Sequence, residues 1–220
     1  MIRFKKYEHK KFLILITDFI RKISKGDRLT SLSNKVAALI RIEAHKAKKK
    51  VTVIDFGCGS MEISKRIQHN KFIKKITGLD IFDSNYNYKK LRYYNYKNLK
   101  NLSKYKSDIV ILIDVLHHIG VDKSHSVLKK LSRNSKTLII KDHFEHGFLS
   151  RQLLRFVDFY ANFAYGVTIP NKYFDKNSWK MTVKKTKLKE NYFEENFQQH
   201  IGLFNLILNK KHHFVSVLKR

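Results

Sequence analysis

The chain has 220 residues, 43% of them hydrophobic, with 46 Lys and Arg against 18 Asp and Glu, a formal charge of +28. That length fills one domain but not two, and the apolar share excludes wholesale disorder. The one cysteine, Cys58, excludes an internal disulfide and points to a reducing compartment.

Taken in chain order, Phe12, Leu13, Ile16, Phe19, Ile20 and Ile23 recur at helical spacing and predict a helix over 11–23. Asp18 and Arg21 interrupt its apolar run, so no uncharged membrane span is expected, and no signal-peptide pattern follows. A second helix is predicted over 32–47, with Val36, Leu39 and Ile40 inward. A β-branched run, 51–56, is stopped by Gly57 and followed by a helix over 61–67. Strands follow at 76–80, weakly at 93–96, and at 108–114, the last nearly all apolar, as a strand buried on both faces requires. A helix over 124–131 leads to a strand at 137–140 and a helix over 148–164. Strands near 187–194 and 213–219 close the chain. Strands alternating with helices predict βαβ units and a mostly parallel sheet. No repeat or Pro/Gly linker divides the sequence, so the expected organisation is one domain over 1–220. Within it, helices over 1–48 cap a core over 49–220, with a substrate-side insertion at about 141–186.

The strongest local signal is Val53-Ile-Asp-Phe-Gly-Cys-Gly59, at the first strand-to-helix turn. In open α/β sheets ligands bind at such turns, outside the carboxyl ends of the strands. Gly57 and Gly59 permit a turn that side chains would block and let the backbone approach a ligand. The second strand ends in Asp80, 21 residues beyond Gly59, where a carboxylate can accept both hydroxyls of a ribose. A dinucleotide site would want a third glycine, and Glu62 in the first helical turn would repel a pyrophosphate. A cationic cofactor favours that acidity.

These residues resemble the S-adenosylmethionine-binding motif of class I methyltransferases, with Asp80 matching the ribose-binding acid. The resemblance implies an α/β, Rossmann-like fold with a mostly parallel seven-stranded sheet. It implies S-adenosyl-L-methionine as cofactor, held by Asp55, Gly57, Cys58, Gly59, Asp80, Ile81 and Asp114. Family loops often carry Gly where Met61 stands. The segment Leu112-Ile-Asp-Val-Leu-His-His-Ile119 resembles the Asp-Val-Leu-His-His string of small-molecule methyltransferases. The span 141–179, with Lys141-Asp-His143, then Asp158 and Asn162 on a helix, then Pro170, resembles a type 11-like subgroup of bacterial methyltransferases.

Histidines at such positions suit proton removal from a nucleophile as the methyl group arrives. His118, His143 and Asp142 are the catalytic candidates; packing under the cofactor is the other reading for His117 and His118. No metal is expected, because His143, Glu145 and His146 lack the helical i, i+4 spacing of a zinc pair. Cys58 is expected to be a small packing residue.

The expected acceptor is a small molecule or a lipid-linked one. An RNA acceptor is the alternative raised by the charge, since Lys and Arg release counterions from phosphate. Only ten of the basic residues are Arg and the lysines are scattered, as codon drift in an AT-rich genome would leave them. The single proline, Pro170, rules out the Asn/Asp-Pro-Pro-aromatic string of base-amine methylation. A cofactor-binding fold without enzymatic activity is a further alternative. The expected location is the cytoplasm. The helix over 11–23 with its flanking Lys5, Lys6, Lys10, Lys11, Arg21 and Lys22 offers peripheral contact with an anionic inner membrane face.

Overall fold

The computed structural model describes residues 11–81, 87–88, 90–95, 102, 104–162, 166–201 and 203–220. Lys5, Lys6 and Lys10 of the expected membrane-facing cluster lie outside the described residues. The strands are β1 (Val51–Phe56), β2 (Ile73–Asp80), β3 (Asn87–Tyr88), β4 (Leu91–Asn95), β5 (Ile109–Ile113), β6 (Thr137–His143), β7 (Lys189–Glu195) and β8 (His213–Lys219). They form one sheet in the order β3-β4-β2-β1-β5-β6-β8-β7. Strands β4, β2, β1, β5 and β6 are parallel, and β8 runs antiparallel between β6 and β7. The expected seven strands gain an eighth because the two residues of β3 fold back on β4.

The order reverses at β1. The chain steps outward from β1 to β2 and β4, then returns to β5 and β6 on the other side. This opens a crevice at the carboxyl ends of β1 and β5, the switch point where such sheets bind ligands. The loop after β1 and the turn after β5 carry the candidate residues.

Helices are α1 (Lys11–Ala47), α2 (Glu62–Ile67), α3 (Leu116–Ile119), α4 (Val121–Ser132), α5 (Phe148–Asn162), α6 (Lys176–Thr186) and α7 (Leu203–Ile207). Where two N-terminal helices are expected, α1 is one helix of 37 residues. Among its described side chains, Leu29, Leu32, Val36, Leu39, Ile40 and Ala44 form an inward stripe, all buried. No proline interrupts it, and the lone Gly26 costs only about 1 kcal/mol.

Along β6 side chains alternate between two cores. Ile139 packs with Leu32, Val36 and Ile40 of α1, and Leu138 and Ile140 pack with Val127, Leu128 and Leu131 of α4. The same alternation sends Lys141 and His143 toward α1 and Asp142 toward α3. The segment Lys141–His143, beyond the strand expected at 137–140, is therefore the buried end of that strand.

Helix α6 was not expected. Its start is a capping box: Asp175 accepts from the Ser178 backbone N–H at 2.7 Å, and Ser178 Oγ is 2.8 Å from the Asp175 nitrogen. It buries Trp179, whose indole N–H donates to Glu190 at 2.9 Å while its ring packs on Phe174 and Phe214. Trp179→Ala should cost about 3–5 kcal/mol, read as a lowered denaturation midpoint. A loss below 1 kcal/mol would show that α6 is not part of the core.

Candidate active site

Gly57 and Gly59 have φ of +71° and +49°. A Cβ on Gly57 would lie 2.6 and 2.9 Å from the two γ-methyl groups of Val115 at the end of β5. The loop is therefore pressed against the neighbouring strand end, with no room for a side chain. Asp80 closes it from the other side: its carboxylate accepts from the backbone N–H of Gly59 and of Ile81, each at 2.7 Å. Behind the loop, Asp55 is buried and accepts from Ser64 Oγ at 2.5 Å. Burial pushes its carboxyl up to about 7; Asp80 adds to the effect and Ser64 opposes it. Ile81 is exposed at the rim.

Met61 also adopts a left-handed backbone, φ +58°, which is why glycine suits this position. Its side chain does not enter the crevice. It is fully buried and folds over Gly78 of β2, where an added Cβ would lie 2.7 Å from its Cε and 2.8 Å from the Cys58 sulfur. Burial, then Asp55 and Asp80, push the Cys58 thiol up, so it is a packing group rather than a nucleophile.

Asp55, Gly57, Cys58, Gly59, Asp80 and Ile81 thus meet at one loop. Asp114 is held elsewhere. It follows β5 with φ +55°, and its Oδ1 lies 2.5 Å from Lys141 Nζ and 3.2 Å from His143 Nε2, with Arg28 Nη2 of α1 2.5 Å from Oδ2. Burial would raise this carboxyl, but Lys141, His143 and Arg28 outweigh it and hold it well below the usual range. Burial lowers the Lys141 ammonium, partly offset by Asp114.

On the opposite face of β6, Asp142 is fully buried. It accepts from the Leu116 N–H at 3.0 Å, from His117 Nδ1 at 2.6 Å and from the His143 N–H at 2.7 Å. Three donors thus occupy the Asp142 carboxylate. Burial opposes charge on His117, but Asp142 and Asp158 outweigh it and raise the imidazole to about 9. His118 is lowered to about 4 by burial and the neighbouring His117, and its Nδ1 meets the Thr168 carbonyl at 2.9 Å. Asp158 of α5 accepts from the Tyr173 hydroxyl at 2.5 Å. His143, lowered by burial and Lys141, keeps a buried Nδ1 with no hydrogen-bond partner. Glu145 binds Arg151 at 2.6 and 2.9 Å, and His146 donates to the Lys211 carbonyl, so both are structural.

Arg28, Lys141 and Tyr173 were not among the expected site residues. Lys141 alone left a local signal, as a lysine continuing an apolar strand run.

No family model matches the sequence, and no curated protein matches it. Solved structures do. The plantazolicin methyltransferase BpumL, crystallised with S-adenosylhomocysteine and a monoazolic desmethyl analogue, superposes with a TM-score of 0.64 at 10% identity, over 97% of this chain and 92% of that one. Magnesium protoporphyrin IX methyltransferase from Synechocystis PCC 6803, with S-adenosylhomocysteine, gives 0.55 at 14% identity over 88% and 86%. Human N-acetylserotonin methyltransferase with S-adenosylmethionine gives 0.55 at 13% identity over 91% and 57%. The fold is that of the class I methyltransferases. In this methyltransferase fold the loop after β1 and the acid ending β2 occupy the switch-point crevice.

Gly57→Ala should lose at least about 1–2 kcal/mol from its left-handed backbone alone, with a further loss from the Val115 contact. Adding Val115→Ala should recover only the contact part. Denaturant titration of the single and double variants separates the two, and full recovery would mean the backbone carries no strain.

Proposed function

We propose that this chain transfers a methyl group from S-adenosylmethionine to a nucleophilic O, N or C of a small-molecule or lipid-linked acceptor. The observation that carries the reading is the glycine loop held between Val115 and Asp80, backed by Asp55. Two carboxylates behind a backbone cradle suit a cation and would repel a pyrophosphate. When bound, the cofactor supplies a methyl group on a positive sulfur, and that sulfur keeps the bond pair as the nucleophile takes the carbon.

In this reading Gly57, Cys58 and Gly59 receive the methionine end through their backbone, and Asp80 exchanges the Gly59 N–H for ribose hydroxyls. Ile81 lies beside the base. His143 takes the nucleophile's proton: Asp114 accepts from Nε2–H and so leaves the Nδ1 lone pair as the acceptor, the logic of a carboxylate-oriented histidine. His118 presents a second neutral imidazole. Asp142 positions both segments.

A lipid-linked acceptor draws support from α5, which exposes Phe148, Leu149 and Phe156 at 68%, 82% and 60%. No helix among the described residues is long and apolar enough to cross a membrane. An RNA acceptor gains nothing from the lysine-lined groove of Lys49, Lys50, Lys74 and Lys106, which opens at the amino ends of the strands, away from the loop.

Calorimetric titration should show micromolar binding of both S-adenosylmethionine and S-adenosylhomocysteine, weakened at least about tenfold, roughly 1.4 kcal/mol, in Asp80→Ala. A folded protein that binds neither would end this reading. The pH dependence is set by Asp55. Its folded carboxyl is raised above the unfolded value, so its contribution to apo stability is present below about pH 4 and lost as pH rises through 7. A bound cation favours the ionised form, so affinity for S-adenosylmethionine should climb between pH 6 and 7.5. Asp55→Asn should flatten both profiles; an unchanged slope in that variant would remove Asp55 from the cofactor site.

A further inference from the structure

We propose that His117, His118 and Asp158 form a site for one divalent transition-metal ion such as Zn²⁺, on the acceptor side of the crevice. One ligand atom from each residue lies within 4.8 Å of the others. The sequence expectation of no metal rested on the spacing of His143, Glu145 and His146; this triad instead joins two consecutive histidines at α3 to a carboxylate on α5.

Three observations point to an ion rather than to packing. The first is an orphaned atom. His117 is buried, and its Nε2 has no hydrogen-bond partner although it faces Asp158 Oδ2 at 3.5 Å. That separation is too long for a hydrogen bond. It is close to the edge of a tetrahedron with metal–ligand bonds of about 2.1 Å, which is about 3.4 Å.

The second is orientation. A carbonyl only accepts, so the 2.9 Å contact with Thr168 puts the His118 proton on Nδ1 and leaves Nε2 with a lone pair. His117 Nδ1 faces the Asp142 carboxylate at 2.6 Å with the same result. Histidines whose far nitrogen donates to a carboxylate or carbonyl are the usual arrangement around a bound metal, because that bond fixes the ring and raises its basicity. The third is the carboxylate itself. Asp158 is steadied by the Tyr173 hydroxyl on Oδ2 and by Asn162 Nδ2 at 3.4 Å on Oδ1.

Two imidazoles and one carboxylate suit Zn²⁺ or a similar ion and not Mg²⁺ or Ca²⁺, which prefer all-oxygen shells. Three protein ligands leave a fourth position open, the pattern of reactive rather than structural sites. That the open position takes an oxygen or nitrogen of the acceptor rests on the methyl-transfer reading; the metal site does not.

The test strips the full-length protein with a chelator and titrates it, without cofactor, with Zn²⁺ by calorimetry and Co²⁺ by visible absorption. One equivalent should bind at micromolar affinity or tighter, with the d–d bands of a low-coordinate Co²⁺ bearing nitrogen ligands. His118→Ala and the isosteric Asp158→Asn should each weaken it more than tenfold. Asp142→Asn, which removes the carboxylate behind His117 without removing a ligand, should weaken it about 10–100-fold. Circular dichroism establishes that each variant is folded. Absence of saturable binding to folded protein, or equal affinity in wild type and Asp158→Asn, overturns the site and leaves His117 as an imidazolium between two carboxylates. Metal binding without S-adenosylmethionine binding would keep the site and remove the transfer reading; the reverse result would do the opposite.

Discussion

Much of this molecule is organised around one carboxylate. Asp114 leaves β5 in a left-handed turn and meets a buried lysine from β6, a histidine two residues on, and an arginine from α1. Taking Lys141 out of water costs several kcal/mol, and only a partner at contact distance offsets that. The interaction therefore fixes three things at once: the end of β5, the registration of β6 beside it and the placement of α1 over the sheet. It also sets the tautomer of His143. Removing Asp114 alone would leave three cationic or basic groups facing one another, at a cost of about 3–5 kcal/mol.

Charge is divided along the strand direction. The carboxyl ends hold Asp55, Asp80, Asp114 and Asp142, while the amino ends open on lysines. A chain of formal charge +28 thus keeps four of its 18 acids where a cation would bind. The excess of lysine elsewhere need not serve the crevice at all.

The legible parts of the sequence were those whose physics is local. The apolar run of β5 announces burial on both faces, and Asp-Phe-Gly-Cys-Gly announces a turn that only glycine can make. Asp80 was legible because β2 must end near that turn. The rest depends on distance along the chain. Arg28 is 86 residues from Asp114, and His117 is 25 from Asp142. Neither pairing leaves a trace in spacing. The expected strand stops at 140, short of Lys141-Asp-His143, because the polarity of that segment masks the alternation of a buried strand. Helix α6 was hidden by its lysines, since only Trp179, Thr182 and Thr186 are buried along it.

Met61 and Gly78 show how a glycine-rich loop can give up a glycine. The backbone at 61 stays left-handed, and the side chain escapes by lying over a strand position that has none. The two positions therefore form a compensating pair. A bulky residue at 61 keeps 78 a glycine, and glycine at 61 would lift that constraint only in part, because the Cys58 sulfur also lies 2.8 Å from an added Cβ. Coupled exchange of this kind lets a cofactor loop drift away from its usual letters while its backbone path, which is what a ligand would touch, stays the same.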